Sequence, residues 1–151
     1  MNVCLGGTFN PFHHGHRRLI EKAFEVAGSD GRVFIGVTSG DVVKDKKNVK
    51  SFEQRKKIID EFLLEQDFTS ECVIKPIFDK FGPSVEGDFD AIVVSSETKS
   101  TAEQINRKRK EVGRKPLRIF EVSMVLAEDG VPISSTRIRN NEIDEDGTLI
   151  G

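Results

Sequence analysis

The chain has 151 residues, of which 36% are hydrophobic and 32% charged, and its formal net charge at neutral pH is −2. This length and balance predict one globular, soluble domain over residues 1–151, large enough to bury a core. No apolar run approaches the roughly 20 residues that span a bilayer. The first residues do not read as a signal peptide, so we expect a cytoplasmic protein without membrane partners. The slightly negative net charge argues against a nucleic-acid partner.

Short apolar segments alternate with amphipathic ones along the chain. The apolar runs predict strands at 3–5, 33–37, 72–77, 91–94 and 117–122, and a short additional strand at 125–127. Helical spacing of apolar residues occurs at 17–27, after residue 51, at 100–112 and at 133–139. Five strands separated by helices predict an α/β fold, a Rossmann-like doubly wound parallel sheet with helices on both faces. Residues after about 145 are polar, and we expect them to be frayed.

Two capping boxes mark helix starts, one at Ser51 with Gln54 and one at Ser100 with Glu103. The second of these helices carries a run of four basic residues at 107–110. A run of like charges on a helix usually forms a solvated face, and we expect that here.

All three histidines of the chain lie within four residues, in the motif Gly6-Gly7-Thr8-Phe9-Asn10-Pro11-Phe12-His13-His14-Gly15-His16. The motif joins the first strand to the first helix, where an open α/β sheet places its phosphate chemistry. The two glycines allow close approach to a ligand and a positive φ. His13 and His16 share a helix face, and Gly15 leaves room for a flat ligand. A zinc site is a competing interpretation, but no third ligand lies at a fixed spacing.

A second motif, Ile133-Ser134-Ser135-Thr136-Arg137-Ile138-Arg139, places three hydroxyls before two arginines. Hydroxyls at a helix N-terminus are ordinary caps. Together with a guanidinium and free backbone N–H groups they also suit a polyphosphate. Ser135 and Arg139 are four residues apart and point the same way, whereas Arg137 lies off that face and is expected to be solvated.

These two motifs resemble the His-x-Gly-His and Ile-Ser-Ser-Thr-x-Ile-Arg boxes of the nucleotidylyltransferase superfamily. The compact length, the turn at 94–98 and the segment 105–116 are most similar to the archaeal type of phosphopantetheine adenylyltransferase. The resemblance implies transfer of the adenylyl group of ATP to 4′-phosphopantetheine, giving dephospho-coenzyme A and pyrophosphate in coenzyme A biosynthesis. Because residues 6–12 are also similar to nicotinate-mononucleotide adenylyltransferases, nicotinate or nicotinamide mononucleotide and FMN stay open as acceptors. A nucleotide-binding regulatory domain is the non-enzymatic alternative.

The resemblance also implies roles for individual residues. The implied catalytic residues are His16, His13 and Arg139. His16 contacts the α-phosphate in the transition state, and His13 holds the nucleotide phosphates or the ribose side. Arg139, with the hydroxyls of 134–136, takes the β- and γ-phosphates, and His14 is dispensable. The implied nucleotide-binding residues are Gly7, Thr8, Phe9, His13, Gly15, His16, Ser96, Glu97, Ser134, Ser135, Thr136 and Arg139. The implied acceptor-binding residues are Thr8, Lys44 and Lys47. Mg²⁺ is expected as the cofactor, held mainly by phosphate oxygens and not by protein ligands. The partners are then ATP and a phosphorylated acceptor, and a homo-oligomer stays open.

Overall fold

The computed structural model describes residues 1–40, 43, 49–123, 127–131, 133 and 135–150, with the backbone alone at 135 and 136. In chain order the elements are β1 (Asn2–Gly7), α1 (His14–Ala27), β2 (Arg32–Thr38), α2 (Phe52–Leu64), β3 (Glu71–Ile77), a short 3₁₀ turn (Gly82–Ser84), β4 (Ala91–Val94), α3 (Lys99–Glu111), β5 (Arg118–Glu121) and α4 (Ser135–Arg139). None of the helices in these ranges is both long and apolar enough to cross a membrane.

The five strands form one parallel sheet in the order β3-β2-β1-β4-β5, which confirms the predicted fold class. The central strand β1 pairs with β2 on one side and β4 on the other, so Val3 lies opposite both Val33 and Ala91. The chain moves outward in one direction from β1 to β3 and in the other from β4 to β5. The topological switch therefore lies between β1 and β4, and ligands bind at the carboxyl ends of such strands.

Both faces of the sheet are covered, because alternate residues of a strand point to opposite faces. Val3 and Leu5 of β1 belong to an apolar cluster with residues of α1 and α2. Cys4 between them belongs to a second cluster with residues of α3. Helices on opposite faces explain why the strands read as continuous apolar runs and do not alternate with polar residues.

The helix starts agree with the sequence at one capping box and not at the other. Ser51 caps α2 as predicted, with its Oγ accepting from the Gln54 N–H at 3.2 Å. The box predicted at Ser100 is wrong, because α3 begins at Lys99 and its N-cap is Thr98. The Thr98 hydroxyl turns back and accepts a hydrogen bond from the Ser95 N–H at 3.1 Å, which closes the turn after β4. The helix therefore begins before the serine that the sequence pattern selected.

The basic run on α3 is not a uniform solvated face. Arg109 is only 4% exposed. Its guanidinium donates to four backbone carbonyls, those of Lys115, Ser84, Val85 and Gly87. The expectation of a solvated run is therefore wrong at Arg109, which ties α3 to the loop between β3 and β4.

The described C-terminal residues make specific contacts, and the expectation that residues after about 145 are frayed stays a prediction. Ile143 is fully buried and forms an antiparallel bridge with Leu149. The Asp144 side chain accepts from the Thr148 N–H at 2.9 Å, and the Leu149 N–H donates to the Glu128 carboxylate at 3.0 Å. Of the strand predicted at 125–127, residues 125 and 126 lie outside the described residues, and Ala127 is not in a strand.

Candidate active site

A cavity of about 510 Å³ opens at the carboxyl edge of the sheet, across the switch between β1 and β4. Seven of the residues that the sequence assigned to the site line it: Gly7, Thr8, His13, Gly15, His16, Glu97 and Arg139. The cavity also reaches the apolar face under α3, where Cys4, Phe34 and Phe81 line it. It therefore combines a polar mouth with an apolar extension, which is typical of a site for a small organic ligand.

His13 and His16 of the first motif lie against each other at the start of α1. His13 is the N-cap residue, and its Nδ1 accepts a hydrogen bond from the Gly15 N–H at 3.0 Å. The His13 N–H donates in turn to His16 Nδ1 at 3.2 Å. The two rings stack with their centroids 3.8 Å apart. The helix therefore begins at His14, and His13 caps it.

These hydrogen bonds determine which ring nitrogen carries the proton. A neutral imidazole has one donor and one acceptor nitrogen. Since Nδ1 accepts a backbone N–H in both rings, the proton of each neutral ring lies on Nε2. Burial, followed by the charges of Arg17 and His14, lowers the pKa of His13 to about 4. Burial and then His13 hold the pKa of His16 well below its usual range. In the ligand-free protein both rings are therefore neutral Nε2–H donors at pH 7.

The low pKa of His13 predicts that the protein loses stability as the pH falls. The unfolded chain binds a proton near pH 6.5 that folded His13, which is 6% exposed, does not take up until about pH 4. Above pH 6.5 His13 adds no pH dependence to the free energy of unfolding. As the pH falls from 6.5 to 4, it lowers that free energy by on the order of 3 kcal/mol. Urea unfolding at a series of pH values measures this slope.

The variant His13→Asn is the matched control for that experiment. Asparagine keeps an N-cap acceptor for the start of α1 but does not titrate. We expect a flatter dependence of unfolding free energy on pH between 6.5 and 4.5 in the variant, because it lacks the titrating ring. The carboxylates contribute equally to both proteins. Parallel curves for the two proteins would contradict a neutral, buried His13.

The two glycines before the histidines allow a neighbouring side chain to pack closely against the backbone, and they do not adopt a positive φ. Gly6 and Gly7 are the last residues of β1, and the positive φ expected there occurs at Phe9 instead, at 52°. A Cβ on Gly7 would lie 3.3 Å from the Phe9 ring. Phe9 is 1% exposed and packs on the His16 ring at 4.9 Å between centroids. The Phe9 side chain thus supports His16 from the core, and Gly7 makes room for it.

Gly15 has a similar steric reason. A Cβ at this position would lie 2.7 Å from Cε1 of the His13 ring. The glycine therefore accommodates the ring that caps the helix, in addition to lining the cavity. The expected space for a flat ligand would be a second role of this glycine.

Arg139 lies at the end of α4 and reaches the turn after β1. Its Nη1 donates to the Asn10 carbonyl at 2.6 Å. Asn10 is 3% exposed, and its side-chain oxygen accepts from the Lys50 N–H at 2.9 Å. Asn10 therefore joins the turn after β1, the start of α2 and α4, which brings the two sequence motifs together at one site.

The remaining residues of the second motif are placed only in part. Ser134 lies outside the described residues, and the side chains of Ser135 and Thr136 are not described. Arg137 was expected to be solvated, but its side chain is 14% exposed and pairs with the Asp129 and Glu142 carboxylates. The expectation for Arg137 is therefore wrong, since its guanidinium holds the end of the chain together.

The turn after β4 lines the cavity with residues next to those expected. Glu97 lines it, whereas Ser96 is exposed and the neighbouring lining residues are Ser95, Thr98 and Thr101. The acceptor-binding residues expected in the loop after β2, Lys44 and Lys47, lie outside the described residues.

Sequence reasoning missed two residues on the opposite side of β1. Thr38 ends β2 and lines the cavity, and its hydroxyl lies 2.9 Å from that of Thr8. Arg55 of α2 is 2% exposed and donates to the Thr8 and Thr38 carbonyls. The signal for Arg55 is present in the sequence: with Phe52 and Ile59 it follows the 3-4 spacing of a core-facing stripe, where a charged residue is rare.

Comparison with known proteins identifies the family. Residues 4–141 match the family model of cytidylyltransferase-like proteins. A phosphopantetheine adenylyltransferase from Methanosarcina acetivorans is 48% identical over 148 residues, which cover 97% of this chain and 94% of the relative. One from Archaeoglobus fulgidus is 40% identical over 151 residues, which cover 99% of this chain and 100% of the relative.

Solved structures share the architecture. A protein of unknown function from Archaeoglobus fulgidus superimposes with a TM-score of 0.71 at 36% identity, over 81% of this chain and 89% of that chain. A lipopolysaccharide core biosynthesis protein from Thermoplasma volcanium gives a TM-score of 0.62 at 16% identity, over 82% and 96% of the two chains, and shows the fold alone. On the match over residues 4–141 and the identities of 40–48% with full-length relatives, this chain belongs to the cytidylyltransferase-like family.

Proposed function

We propose that this protein transfers the adenylyl group of ATP to 4′-phosphopantetheine, releasing pyrophosphate and forming dephospho-coenzyme A. The proposal is supported by the names of relatives that are 40–48% identical over nearly the whole chain. The observation that carries it is the placement of His13, His16 and Arg139 on one cavity at the switch between β1 and β4.

The reaction needs little covalent help from the protein. A phosphate monoester is already an anion at neutral pH, since its second pKa is about 6. An oxygen of the acceptor phosphate forms the new bond to the α-phosphorus of ATP. The bond from the α-phosphorus to the bridging oxygen of pyrophosphate breaks, and pyrophosphate leaves with that electron pair. The protein's contribution is alignment and charge stabilisation, so the reaction needs no general base.

We propose that each side of the cavity has its own task in this reaction. His16 Nε2–H is the proposed donor to the α-phosphate oxygens, at the positive end of the α1 dipole. Arg139 is the proposed contact to the departing phosphates, together with the hydroxyls of 134–136. Thr8 and the backbone of Phe9 are the proposed grip on the phosphoryl groups. Lys44 and Lys47, in the loop after β2, remain the proposed partners of the acceptor phosphate.

Magnesium is part of the proposal as the partner of the ATP phosphates. Among the described residues, no group of three or more His, Cys, Asp or Glu side chains is arranged to hold a metal ion. Glu97 is the single carboxylate among the described residues that line the cavity. This donor set fits a Mg²⁺ ion that takes most of its ligands from phosphates and water. When bound, the ion neutralises charge on the triphosphate.

A pyrophosphate-release assay with ATP and a panel of acceptors tests the proposal. The panel contains 4′-phosphopantetheine, nicotinate mononucleotide, nicotinamide mononucleotide and FMN. We expect release with phosphopantetheine at a rate at least ten times that with any mononucleotide. Release with a mononucleotide alone would transfer the proposal to that acceptor. ATP binding without release for any acceptor would favour a nucleotide-binding regulator.

A further inference from the structure

Arg55 is a buried arginine directly behind the polar mouth of the cavity. It lies one turn into α2, at a position of the helix that faces the sheet, and is 2% exposed. Its Nη1 donates to the Thr8 carbonyl at 3.1 Å and to the Thr38 carbonyl at 2.6 Å. Its Nε donates to the Lys50 carbonyl at 2.9 Å. One guanidinium thus holds the turn after β1, the end of β2 and the residues before α2.

The two carbonyls belong to the residues whose hydroxyls face the cavity. Thr8 and Thr38 both line it, and their hydroxyl oxygens are 2.9 Å apart. Neighbouring parallel strands do not by themselves fix the residues beyond their ends, because the regular hydrogen-bond ladder stops there. The last pair of residues in the ladder between β1 and β2 is Gly7 with Val37. Beyond that point the two threonines are joined by the hydrogen bond between their hydroxyls and by Arg55, which donates to both of their carbonyls.

Arg55 also brings a positive charge into this buried position. None of the ion pairs between described residues involves it, and its partners there are carbonyl and hydroxyl oxygens. An anion bound close to a buried cation stabilises its charge. The cavity beside Thr8 and Thr38 is therefore where a phosphate would be stabilised most by this charge.

We propose that Arg55 is a positioning residue for the acceptor phosphate, which fixes the Thr8 and Thr38 hydroxyls through their own carbonyls and supplies a buried positive charge behind them. The inference rests on the proposed function for the identity of the acceptor. The site lies on the β2 side of β1, whereas Arg139 and the turn after β4 contact the cavity from other elements. Arg55 should therefore affect the two substrates unequally.

The variant Arg55→Lys keeps the charge but has one donor nitrogen in place of Nη1 and Nε, so it cannot keep the bonds to the Thr8 and Thr38 carbonyls together with the bond to the Lys50 carbonyl. We expect KM for 4′-phosphopantetheine to rise about tenfold or more, while KM for ATP stays within about a factor of two. Thr38→Val removes the hydroxyl and keeps the shape, and it should raise the acceptor KM in the same direction even if Arg55→Lys folds poorly. A normal acceptor KM in Thr38→Val, or equal changes in both KM values in Arg55→Lys, would overturn the inference.

Arg109→Lys is the matched control, because Arg109 is also buried and also donates to backbone carbonyls, but on α3. If it changes the ratio of the two KM values as Arg55→Lys does, general loosening explains both, and the inference fails.

A second readout separates this inference from the proposed function. Inorganic phosphate should raise the unfolding temperature of the wild type more than that of Arg55→Lys. Absence of turnover with phosphopantetheine would contradict the proposed function, while the phosphate measurement would still test Arg55. Equal stabilisation of both proteins by phosphate would count against Arg55.

Discussion

Replacement of His16 by alanine is expected to lower turnover about 10²–10³-fold with only a modest change in ATP affinity, as for loss of one donor that acts on charge in the transition state. The ring is held by a hydrogen bond and by aromatic packing. His16 Nδ1 accepts from the His13 N–H, and its ring packs against those of His13 and Phe9. The Nε2–H is thereby aimed without reorganisation, and alanine removes it. Steady-state rates of pyrophosphate release and equilibrium binding of ATP measure the two effects.

His14→Ala is the control within the same motif. The His14 side chain turns away to the Asp146 carboxylate, 3.0 Å from its Nε2, and both groups are largely exposed. Exposed pairs of this kind contribute at most about 1 kcal/mol to stability. We expect turnover within about a factor of three of the wild type. Near-normal turnover in His16→Ala, or an equal loss in both variants, would remove His16 from its assigned role.

Arg109→Met is expected to lower the free energy of unfolding by about 3 kcal/mol, because it removes the donor to the buried Ser84 carbonyl and to three part-buried carbonyls. The affected carbonyls include those of Ser84, Val85 and Gly87 in the loop between β3 and β4. A domain of this size is stable by only about 5–15 kcal/mol, so the loss is a large part of the total. Urea unfolding of both proteins at pH 7 measures the difference.

Arg107→Met is the matched substitution on the same helix. Arg107 is exposed, so the same change of residue removes no buried hydrogen bond. Its expected effect is within about 0.5 kcal/mol. Similar losses for the two variants would mean that Arg109 is not the link that the structure shows.

The sheet and its two faces follow from the pattern of the sequence. Runs such as Ala91–Val94 are apolar at every position, which indicates burial on both faces and therefore parallel strands covered by helices. The placement of the histidines was also predictable, since a short loop after the first strand must emerge at the carboxyl edge of the sheet. For these features local patterning and global fold agree.

The buried arginines show what local patterning misses. Arg55 and Arg109 each occupy a core-facing position of a helix, yet a basic residue on a charged helix is usually solvated. Their partners are carbonyls of loops distant in sequence, such as Thr8 and Ser84, and no local pattern specifies those partners. The same holds for Thr98, whose hydroxyl closes the turn after β4 and moves the helix start away from Ser100.

The contacts of the C-terminal segment could not be predicted for a related reason. Its composition is polar, but one apolar residue, Ile143, is fully buried. The Asp144 side chain then closes the following turn by accepting backbone N–H groups. A single buried contact and a side-chain-to-backbone bond are enough to order a short segment, and neither leaves a periodic signal.

The most direct test of direct adenylyl transfer is the fate of ¹⁸O placed in the phosphate of 4′-phosphopantetheine. Attack of an acceptor oxygen on the α-phosphorus of ATP places ¹⁸O in the P–O–P bridge of dephospho-coenzyme A. We predict that ³¹P NMR shows the isotope shift on both phosphorus atoms of that bridge and none in pyrophosphate. Loss of the label to water, its appearance in pyrophosphate, or absence of the bridged product would contradict the account.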